Sequence, residues 1–235
     1  MKLPTLHGLI DRRILVNFTA DPADVALLLP APFRPQLYQG RAIVGICLIR
    51  LKNVRPKGFP AFASISSENG AHRIAVEWEE NGQLREGVYV PRRDTSLRWN
   101  ALAGGCLFPG RHYLAKFAVA ETTEAYRVAF SSADGTRVAI EAQLTDTFSP
   151  GSIFGKLENA SRFLEKGTIG YSPNGQKLEG LRLATHTWAV QPLAVSQVQS
   201  SFFENEALFP KGSVKFDNAL LMTNIAHEWH PVVAK

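Results

Sequence analysis

The sequence predicts a mainly β domain in which an antiparallel sheet closes, or nearly closes, into a barrel or cone. Three observations favour this fold: about ten segments have the composition of strands, Asn-Gly and Asp-Gly turns separate several of them, and only about three short segments have helical character. Closure removes the edges that a long antiparallel sheet would otherwise expose. The 235 residues contain no repeat and no linker-like stretch, so one domain over residues 1–235 is expected.

The strands are predicted from turn signals and from alternation. Asn81-Gly82, Asp134-Gly135 and Asn174-Gly175 each lie between segments rich in branched or aromatic residues, which is typical of hairpins. Around Asp134-Gly135 an apolar face alternates with a polar one, which predicts two strands with one buried face. The apolar positions are Tyr126, Val128, Phe130, Val138, Ile140, Ala142 and Leu144, and the polar ones are Arg127, Arg137, Glu141 and Gln143. Further strands are expected at Arg12–Phe18, Arg41–Val54, Phe62–Ser66, His72–Glu79, Arg85–Val90, His112–Ala120, Leu178–Val190 and Leu193–Phe203.

Three short helices are expected. The first follows Asp21-Pro22, an N-cap with proline at the first helical position, and ends before Pro30. The second, Leu97–Ala103, ends at Gly104-Gly105. The third is Ile153–Lys166, in which apolar residues recur near helical spacing.

Composition limits the partners and the compartment. The formal charge of +5 would allow nucleic acid or an anionic ligand, but the arginines are scattered and form no nucleic-acid motif, so nucleic acid is not expected. The longest apolar run, Ala42–Ile49, is too short to span a bilayer, and the first ten residues contain no signal-peptide core. Two distant cysteines, Cys47 and Cys106, are typical of reduced, buried thiols in a cytoplasmic protein. A symmetric homodimer, the commonest oligomer, is left open.

No metal site and no cofactor are expected. His227-Glu228-Trp229-His230 lacks the zinc-binding spacing of helical metalloproteases, because the fourth position after His227 is Pro231. A terminal surface segment is the simpler interpretation. Cys106 is a candidate thiol nucleophile, although a buried inert cysteine is the favoured interpretation.

The most informative stretch is Gly104–Phe117. It resembles the segment that carries the catalytic lysine pair of acetoacetate decarboxylase-like proteins, in which Phe-Pro is followed at once by Lys-Lys. In this chain Phe108-Pro109 is followed by Gly110-Arg111. Neither residue supplies the primary amine that an imine requires, and arginine stays protonated. The resemblance therefore implies a fold and a pocket and argues against decarboxylation.

Three wider regions resemble the uncharacterised YqjF-like family, which is grouped with acetoacetate decarboxylase by fold. The first is Pro30–Gly40, followed by an apolar strand and Val54–Pro56. The second runs from Ser67 through Arg73 to Gly87–Tyr89 and leads into Phe108–Lys116. The third combines Trp188–Phe203 with the closing segment Asp217–Trp229. The resemblance implies a β-cone or barrel whose interior holds a small organic acid or ketone.

The same resemblance suggests the site residues. In decarboxylating relatives the site combines a lysine, a glutamate and an arginine. Glu68 resembles the acidic position and Arg73 the arginine, although the family separates the two by four residues and this chain by five. Arg73 or Arg111 would hold a ligand carboxylate, because a guanidinium binds a carboxylate through two hydrogen bonds. Glu68 or His112 would act as acid or base, and Tyr113 joins the ligand-binding candidates.

Two of these candidates have alternatives. Arg111 is equally well explained by a surface ion pair with Glu86 or Asp94. Lys116 could replace the missing amine only if its strand turned the polar face, which also carries His112, into a barrel lumen. If the apolar face packs in the core instead, Lys116 faces solvent, and this is the favoured interpretation.

Three functions are compatible with the sequence. The first is a small-molecule-binding protein with an interior pocket and no Schiff-base lysine pair. The second is an enzyme of the same fold that uses Glu, His and Arg in acid–base chemistry, or Lys116 as a substitute amine. The third is a non-catalytic interaction protein. Fold alone does not choose among them.

Overall fold

The computed structural model describes residues 5–98, 110–185 and 187–232. Two α-helices, α1 (Pro22–Ala26) and α2 (Leu157–Glu165), and a 3-10 turn at Ala61–Ala63 accompany the strands. The strands are β1 (Leu6–Ala20), β2 (Arg34–Pro35), β3 (Leu37–Tyr38), β4 (Arg41–Pro56), β5 (Ile65–Glu80), β6 (Gln83–Thr95), β7 (His112–Glu121), β8 (Ala125–Ser132), β9 (Arg137–Leu144), β10 (Ile169–Asn174), β11 (Lys177–Thr185), β12 (Gln191–Ser200) and β13 (Lys215–Val232).

These strands form one sheet that closes on itself in two rings. The smaller ring follows the order β13–β1–β4–β5–β6–β10–β11 and returns to β13. The larger ring shares β13, β1, β4, β5 and β6 and closes through β7, β8, β9 and β12. The mainly β, ring-like fold expected from the sequence is therefore confirmed. The sheet is mixed rather than wholly antiparallel, because β6 pairs in parallel with both β7 and β10.

The rings branch at β6 and at β13, where successive parts of one strand edge pair with different strands. In β6, Val88 and Tyr89 pair with β10, whereas residues 93–95 pair with β7. In β13, residues 219–221 pair with β12 and residues 227–232 pair with β11. At each of these two strands the sheet divides, and one set of strands continues around the smaller ring while the other continues around the larger ring.

The wall shared by the two rings is buried on both faces. In β4, Ile43, Cys47 and Leu51 belong to the core of the smaller ring. The alternate residues Val44, Ile46 and Leu48 belong to the core of the larger ring. A strand that is covered on both sides has no polar face, which explains the unbroken apolar run Ala42–Ile49.

The hairpin signals are confirmed. Asn81 and Gly82 have positive φ angles of 53° and 72° between β5 and β6, as a type I′ turn requires. In β8 and β9 the apolar positions predicted around Asp134-Gly135 are buried or half-buried, while Arg127, Arg137 and Gln143 are exposed. α1 begins as predicted, with the Asp21 carboxylate accepting a hydrogen bond from the Ala23 amide at 2.9 Å.

Other predictions need correction. The expected strand His72–Glu79 is present as part of the longer strand β5, whereas the expected strand Phe62–Ser66 is divided between the 3-10 turn and the start of β5. The surface segment expected at His227–His230 is wrong, because β13 is a central strand and His227 is only 2 % exposed. The helix expected at Leu97–Ala103 falls mostly on residues 99–109, which lie outside the described ranges. Within those ranges, no helix is long and apolar enough to cross a membrane.

Candidate functional site

The smaller ring encloses a cavity of about 120 Å³. Its wall is mostly apolar, with residues such as Ile10, Ile49, Val90, Leu183 and Trp229. Seven polar side chains also line it: Arg13, Cys47, Asn69, Arg73, Arg93, Asp94 and His112. An apolar cleft with a few convergent polar groups is the usual form of a small-molecule site.

Arg73 reaches the cavity because the opposite strand has a glycine there. Arg73 of β5 pairs with Gly45 of β4, and a Cβ atom at Gly45 would lie 3.3 Å from Arg73 Nη2. The guanidinium passes over this gap and donates a hydrogen bond to Asn17 Oδ1 on β1. Asn17 in turn donates to Asn218 Oδ1 at 2.8 Å. Gly45 therefore makes room for a buried cation inside an apolar strand.

Arg93 enters the same cavity through an irregularity in β6. Val88 and Val90 line the cavity, so strict alternation would turn Arg93 away from it. The pairing of β5 with β6 shifts register between His72 and Ile74. This shift places the side chain of Arg93 on the same face of β6 as Val88 and Val90. Arg93 Nε donates to Ser172 Oγ of β10 at 2.9 Å.

The cavity is electrostatically positive. Asp94 is the one carboxylate among the lining residues that the structure describes, and it is already engaged elsewhere. Arg92 donates to both of its oxygens, at 2.9 and 2.7 Å, and Ser132 Oγ donates at 2.6 Å. Burial lowers the pKa of Arg93 to about 10, so this side chain is still a cation at neutral pH. The charges of Arg13, Arg73 and Arg93 thus face the cavity without an equal number of anions.

Several guanidinium nitrogens in this wall have no internal partner. Arg73 Nε, Arg13 Nε and Arg13 Nη1 are buried, and none of them has a hydrogen-bond acceptor among the described residues. Buried donors in proteins are nearly always paired with an acceptor. These nitrogens therefore have hydrogen-bonding capacity for an acceptor inside the cavity.

Cys47 lies between two of these cations. Its sulfur is 3.6 Å from Arg13 Nη2, and the positive charge of Arg73 also acts on it. Burial by itself would raise the pKa of the thiol. The positive charges of Arg13 and Arg73, with their hydrogen bonds, outweigh this effect and hold the pKa of Cys47 below its ordinary value.

His112 lies where the cavity meets a surface depression. Its Nδ1 is 3.1 Å from the carbonyl oxygen of Gly110, and its residue pairs with Arg93 across β6 and β7. Burial, together with the nearby charge of Arg93, lowers the pKa of His112 to about 4. The imidazole is therefore neutral at pH 7, with one nitrogen able to accept a proton or a hydrogen bond.

Four of the candidates from the sequence lie at or near this cavity. Arg73 and His112 line it. Arg111, Tyr113 and His112 line the adjoining surface depression. The Arg111 guanidinium lies 4.9 Å from the centre of the Tyr113 ring, and the Arg92 guanidinium lies 4.1 Å from the same ring. Tyr113 is thus held in a cation–π cluster in the surface depression.

Two candidates lie elsewhere. Glu68 does not line the cavity; it forms ion pairs with Arg12 and Arg50, whose charges also meet Glu121. Lys116 is exposed on β7 and does not line the cavity either. The acid–base role of Glu68 and the amine role of Lys116 stay predictions.

The sequence did not single out Arg13, Arg93 or Cys47, although all three line the cavity. Arg13 and Cys47 lie on strands with two buried faces, where alternation does not reveal which face a residue joins. The orientation of Arg93 depends on a register shift that the local sequence pattern does not predict. One signal was present: Gly45 interrupts an otherwise apolar strand, and such a glycine often marks a close approach by another group.

Gly110 is the residue that follows Phe108-Pro109 in the motif discussed above. Its φ angle is +82°, and a Cβ atom there would lie 2.4 Å from Ser172 Cβ. Its amide donates to Glu179 Oε2 at 2.8 Å. Both the left-handed backbone and the contact with β10 require glycine at this point.

No metal site accompanies these groups in the ranges that the structure covers. Three or more histidine, cysteine, aspartate or glutamate side chains do not come together there in a way that could hold an ion. The arrangement can instead bind a small anion through guanidinium groups and can present a neutral imidazole and a thiol beside it.

Solved structures with a similar fold are acetoacetate decarboxylase-like proteins. Acetoacetate decarboxylase from Legionella pneumophila has a TM-score of 0.62 at 12% identity, covering 99% of this chain and 88% of that one. An acetoacetate decarboxylase-like enzyme from Sphingomonas wittichii RW1 has a TM-score of 0.61 at 14% identity, with 100% and 93% covered. The enduracididine biosynthesis enzyme MppR, complexed with pyruvate, has a TM-score of 0.62 at 9% identity, with 100% and 91% covered.

At these identities the likeness establishes the fold alone, and no curated protein matches the chain. The profile of the family DUF2071, described as "Uncharacterized conserved protein (COG2071)", matches residues 10–222. The expected membership of an uncharacterised family with the acetoacetate decarboxylase-like fold is thereby confirmed. The chain belongs to the DUF2071 family.

Proposed function

We propose that the protein binds a short organic acid in the cavity of the smaller ring and holds its carboxylate on Arg73, Arg13 and Arg93. The observation that carries this proposal is the set of buried guanidinium nitrogens of Arg13 and Arg73 without acceptors among the described residues, and Arg93 adds a positive charge to the same wall. A carboxylate supplies two acceptor oxygens and the negative charge that this wall lacks. Charge-assisted hydrogen bonds of this kind are stronger than neutral ones.

The size of the cavity limits the ligand. Cavities of about 150 Å³ hold benzene, which has six non-hydrogen atoms. The volume of about 120 Å³ in this protein therefore suits an acid of three or four carbons, such as a 2-oxo acid. One of the proteins with a similar fold, MppR, is described in complex with pyruvate.

The proposed binding does not use an imine. None of the described residues that line the cavity is a lysine. The resemblance to the decarboxylase-like motif implies that its first lysine corresponds to Gly110, where a side chain would collide with Ser172. Arginine is not a substitute, because it does not deprotonate to a nucleophilic amine. Decarboxylation through a Schiff base is therefore not part of the proposal.

A second candidate function is proton transfer on the bound acid. His112 faces the cavity as a neutral imidazole, because its pKa is lowered to about 4, and Arg93 lies beside it. A base next to an anion holder could remove a proton adjacent to the ligand's carbonyl group. Turnover of a bound oxo acid that is lost in His112→Gln would favour an enzyme over a binding protein.

Calorimetric titration with pyruvate, acetoacetate and their neutral amides tests the binding proposal. Carboxylates should bind and amides should not, and Arg93→Gln should weaken carboxylate binding about 10- to 100-fold, because one charge-assisted hydrogen bond contributes roughly 1.5–3 kcal/mol. Arg127→Gln is the matched control: it removes the same charge from a side chain that is 67% exposed and far in sequence from the cavity wall. Equal affinity for acid and amide, or no loss in Arg93→Gln, would contradict the proposal.

Reduction with borohydride in the presence of pyruvate tests the amine alternative. A mass unchanged after reduction agrees with binding through arginine alone, whereas an adduct mapped to Lys116 would support Lys116 as the substitute amine. A protein that binds none of these acids would be better explained as a non-catalytic interaction protein. The cytoplasmic location and the homodimer remain predictions from the sequence.

A further inference from the structure

Cys47 is a buried free cysteine in the wall of the cavity. The side chain lies at the middle of β4, is 3 % exposed and forms part of the cavity wall. A buried cysteine is usually an inert apolar residue surrounded by apolar neighbours. The neighbours of Cys47 on the cavity side include the guanidinium groups of Arg13 and Arg73.

These cations favour the ionised form of the sulfur. Cationic neighbours that stabilise the thiolate are the usual cause of cysteine reactivity, because the thiolate is the nucleophile. Burial opposes ionisation of Cys47, but the two arginines outweigh it and lower its pKa. The lowered pKa increases the fraction of thiolate at neutral pH.

A second observation, independent of the cysteine, is an unpaired hydrogen-bond donor that faces the same cavity. Arg73 is 4 % exposed and lines the cavity, and its Nε has no acceptor among the described residues. The same arginine contacts Cys47. An anion that accepts a hydrogen bond from Arg73 is therefore brought close to the sulfur.

We propose that Cys47 is a nucleophile. It attacks an electrophilic carbon, such as a ketone carbonyl carbon, in a short carboxylic acid that is bound in this cavity through its carboxylate group. With a 2-oxo acid, the sulfur forms a bond to the carbonyl carbon, the C=O π pair moves to oxygen, and the oxygen takes a proton from solvent. The product is a reversible hemithioketal, and no oxidant or reductant is needed. The chemistry requires the anion site of the proposed function, and so rests on it for the choice of ligand.

This reactivity is measurable with two alkylating probes of similar size, of which one is anionic and the other neutral. Iodoacetate is an anion and iodoacetamide is neutral, and each loses iodide as the C–S bond forms. The protein carries Cys106→Ser, and peptide mass spectrometry measures the alkylation rate at Cys47 with each probe. The rate with iodoacetate divided by the rate with iodoacetamide is then compared with the same ratio for N-acetylcysteine. We expect the ratio at Cys47 to exceed the free-thiol ratio by about tenfold or more, the size expected when a cationic site concentrates an anion.

Two variants separate the cause of the effect. Arg13→Gln should reduce the preference for iodoacetate and move the pH midpoint of alkylation upward, because one stabilising cation beside the sulfur is lost. Arg127→Gln removes a surface charge and should leave both the preference and the midpoint unchanged. Pyruvate in the buffer should slow the alkylation of Cys47 by iodoacetate. Modification only after unfolding, or a ratio equal to that of the free thiol, would overturn the proposal.

Failure of the nucleophile proposal can be distinguished experimentally from failure of the proposed anion binding. Cys47→Ser keeps the arginines, so calorimetric binding of pyruvate should persist in it while alkylation disappears. Binding without selective alkylation rejects the nucleophile and leaves the anion site. Selective alkylation by iodoacetate without pyruvate binding rejects the short oxo acid as ligand and leaves the reactive thiolate.

Discussion

At residue 110 the backbone and a neighbouring strand together exclude every side chain. The positive φ angle would strain any residue other than glycine, and Ser172 fills the space into which a Cβ atom would project. The chain therefore lacks an amine at this position for a steric reason as well as a chemical one. A lysine could not be restored here without displacing β10.

Gly110→Ala should destabilise the protein more than a glycine substitution that meets only backbone strain. Gly135→Ala is the matched control, since Gly135 has a φ angle of +89° and no atom within 4 Å of the added Cβ. The control should lose about 1–2 kcal/mol of unfolding free energy, and Gly110→Ala a further 1–3 kcal/mol or so for overpacking. Urea denaturation measures both. Equal losses in the two variants would show that Ser172 yields without cost.

Individual site residues were predictable where a motif located them and hidden where packing did. Arg73 and His112 came from the resemblance of their segments to a known family, and both line the cavity. Arg13 and Cys47 have no motif, and their importance arises from long-range contact between β1, β4 and β5. Local sequence cannot reveal which cation lies beside which thiol when the two are far apart in the chain.

At the scale of elements, the strands divide into those with one buried face and those with two. β8 and β9 have one, and their alternation was readable from the sequence. β1 and β4 have two, because the rings share them, and their sequences are apolar on both faces. The sequence did not predict β13, although it pairs along the whole of β1.

Substitutions at neighbouring positions along a strand distinguish strands with two buried faces from strands with one. In β1, Ile14→Ala and Leu15→Ala should each cost about 2–5 kcal/mol, because both side chains are fully buried on opposite faces. In β8, Phe130→Ala should cost about 3–5 kcal/mol, whereas its exposed neighbour should tolerate Ser131→Ala within about 0.5 kcal/mol. Chemical denaturation measures all four. A loss below roughly 1 kcal/mol for either β1 variant would argue against a wall that is buried on both sides.

For the whole molecule, ring closure was predictable but the parallel pairings were not. Many short strands with few helices favour closure, because open edges are unfavourable. The parallel contacts of β6 join it to β7, beyond residues 99–109, and to β10, which follows α2. Neither contact has a turn between the partners that could signal it, so both depend on the complete fold.

The stability of the molecule should fall in mild acid because histidines with lowered pKa values, among them His72 and His227, resist protonation in the folded state. Burial lowers the pKa of His72 to about 3 and that of His227 to about 4. In the unfolded chain both titrate near pH 6.5, so the unfolded state binds more protons as the pH falls below that value. Their stabilising effect is complete above about pH 6.5 and is lost progressively towards pH 4, by about 1.4 kcal/mol per pH unit for each histidine.

Denaturation at several pH values between 7.5 and 4 tests this expectation. His72→Gln should remove the contribution of one histidine, so that its unfolding free energy declines less steeply than that of the unchanged protein. The side chain makes its contacts with Ser200 and with the ring of Phe202 inside the larger ring. Identical slopes for the two proteins would show that His72 is not the group responsible.

The pairing of β1 with β13 has a consequence for biosynthesis. Leu6 pairs with Trp229, so the two strands that meet here are separated by nearly the whole described chain. While a ribosome is still translating, β1 has only β4 beside it, and its other edge is bare. Neither ring can close until residues 215–232 have been synthesised, and we expect the bare edge of β1 to be open to pairing with other chains until then.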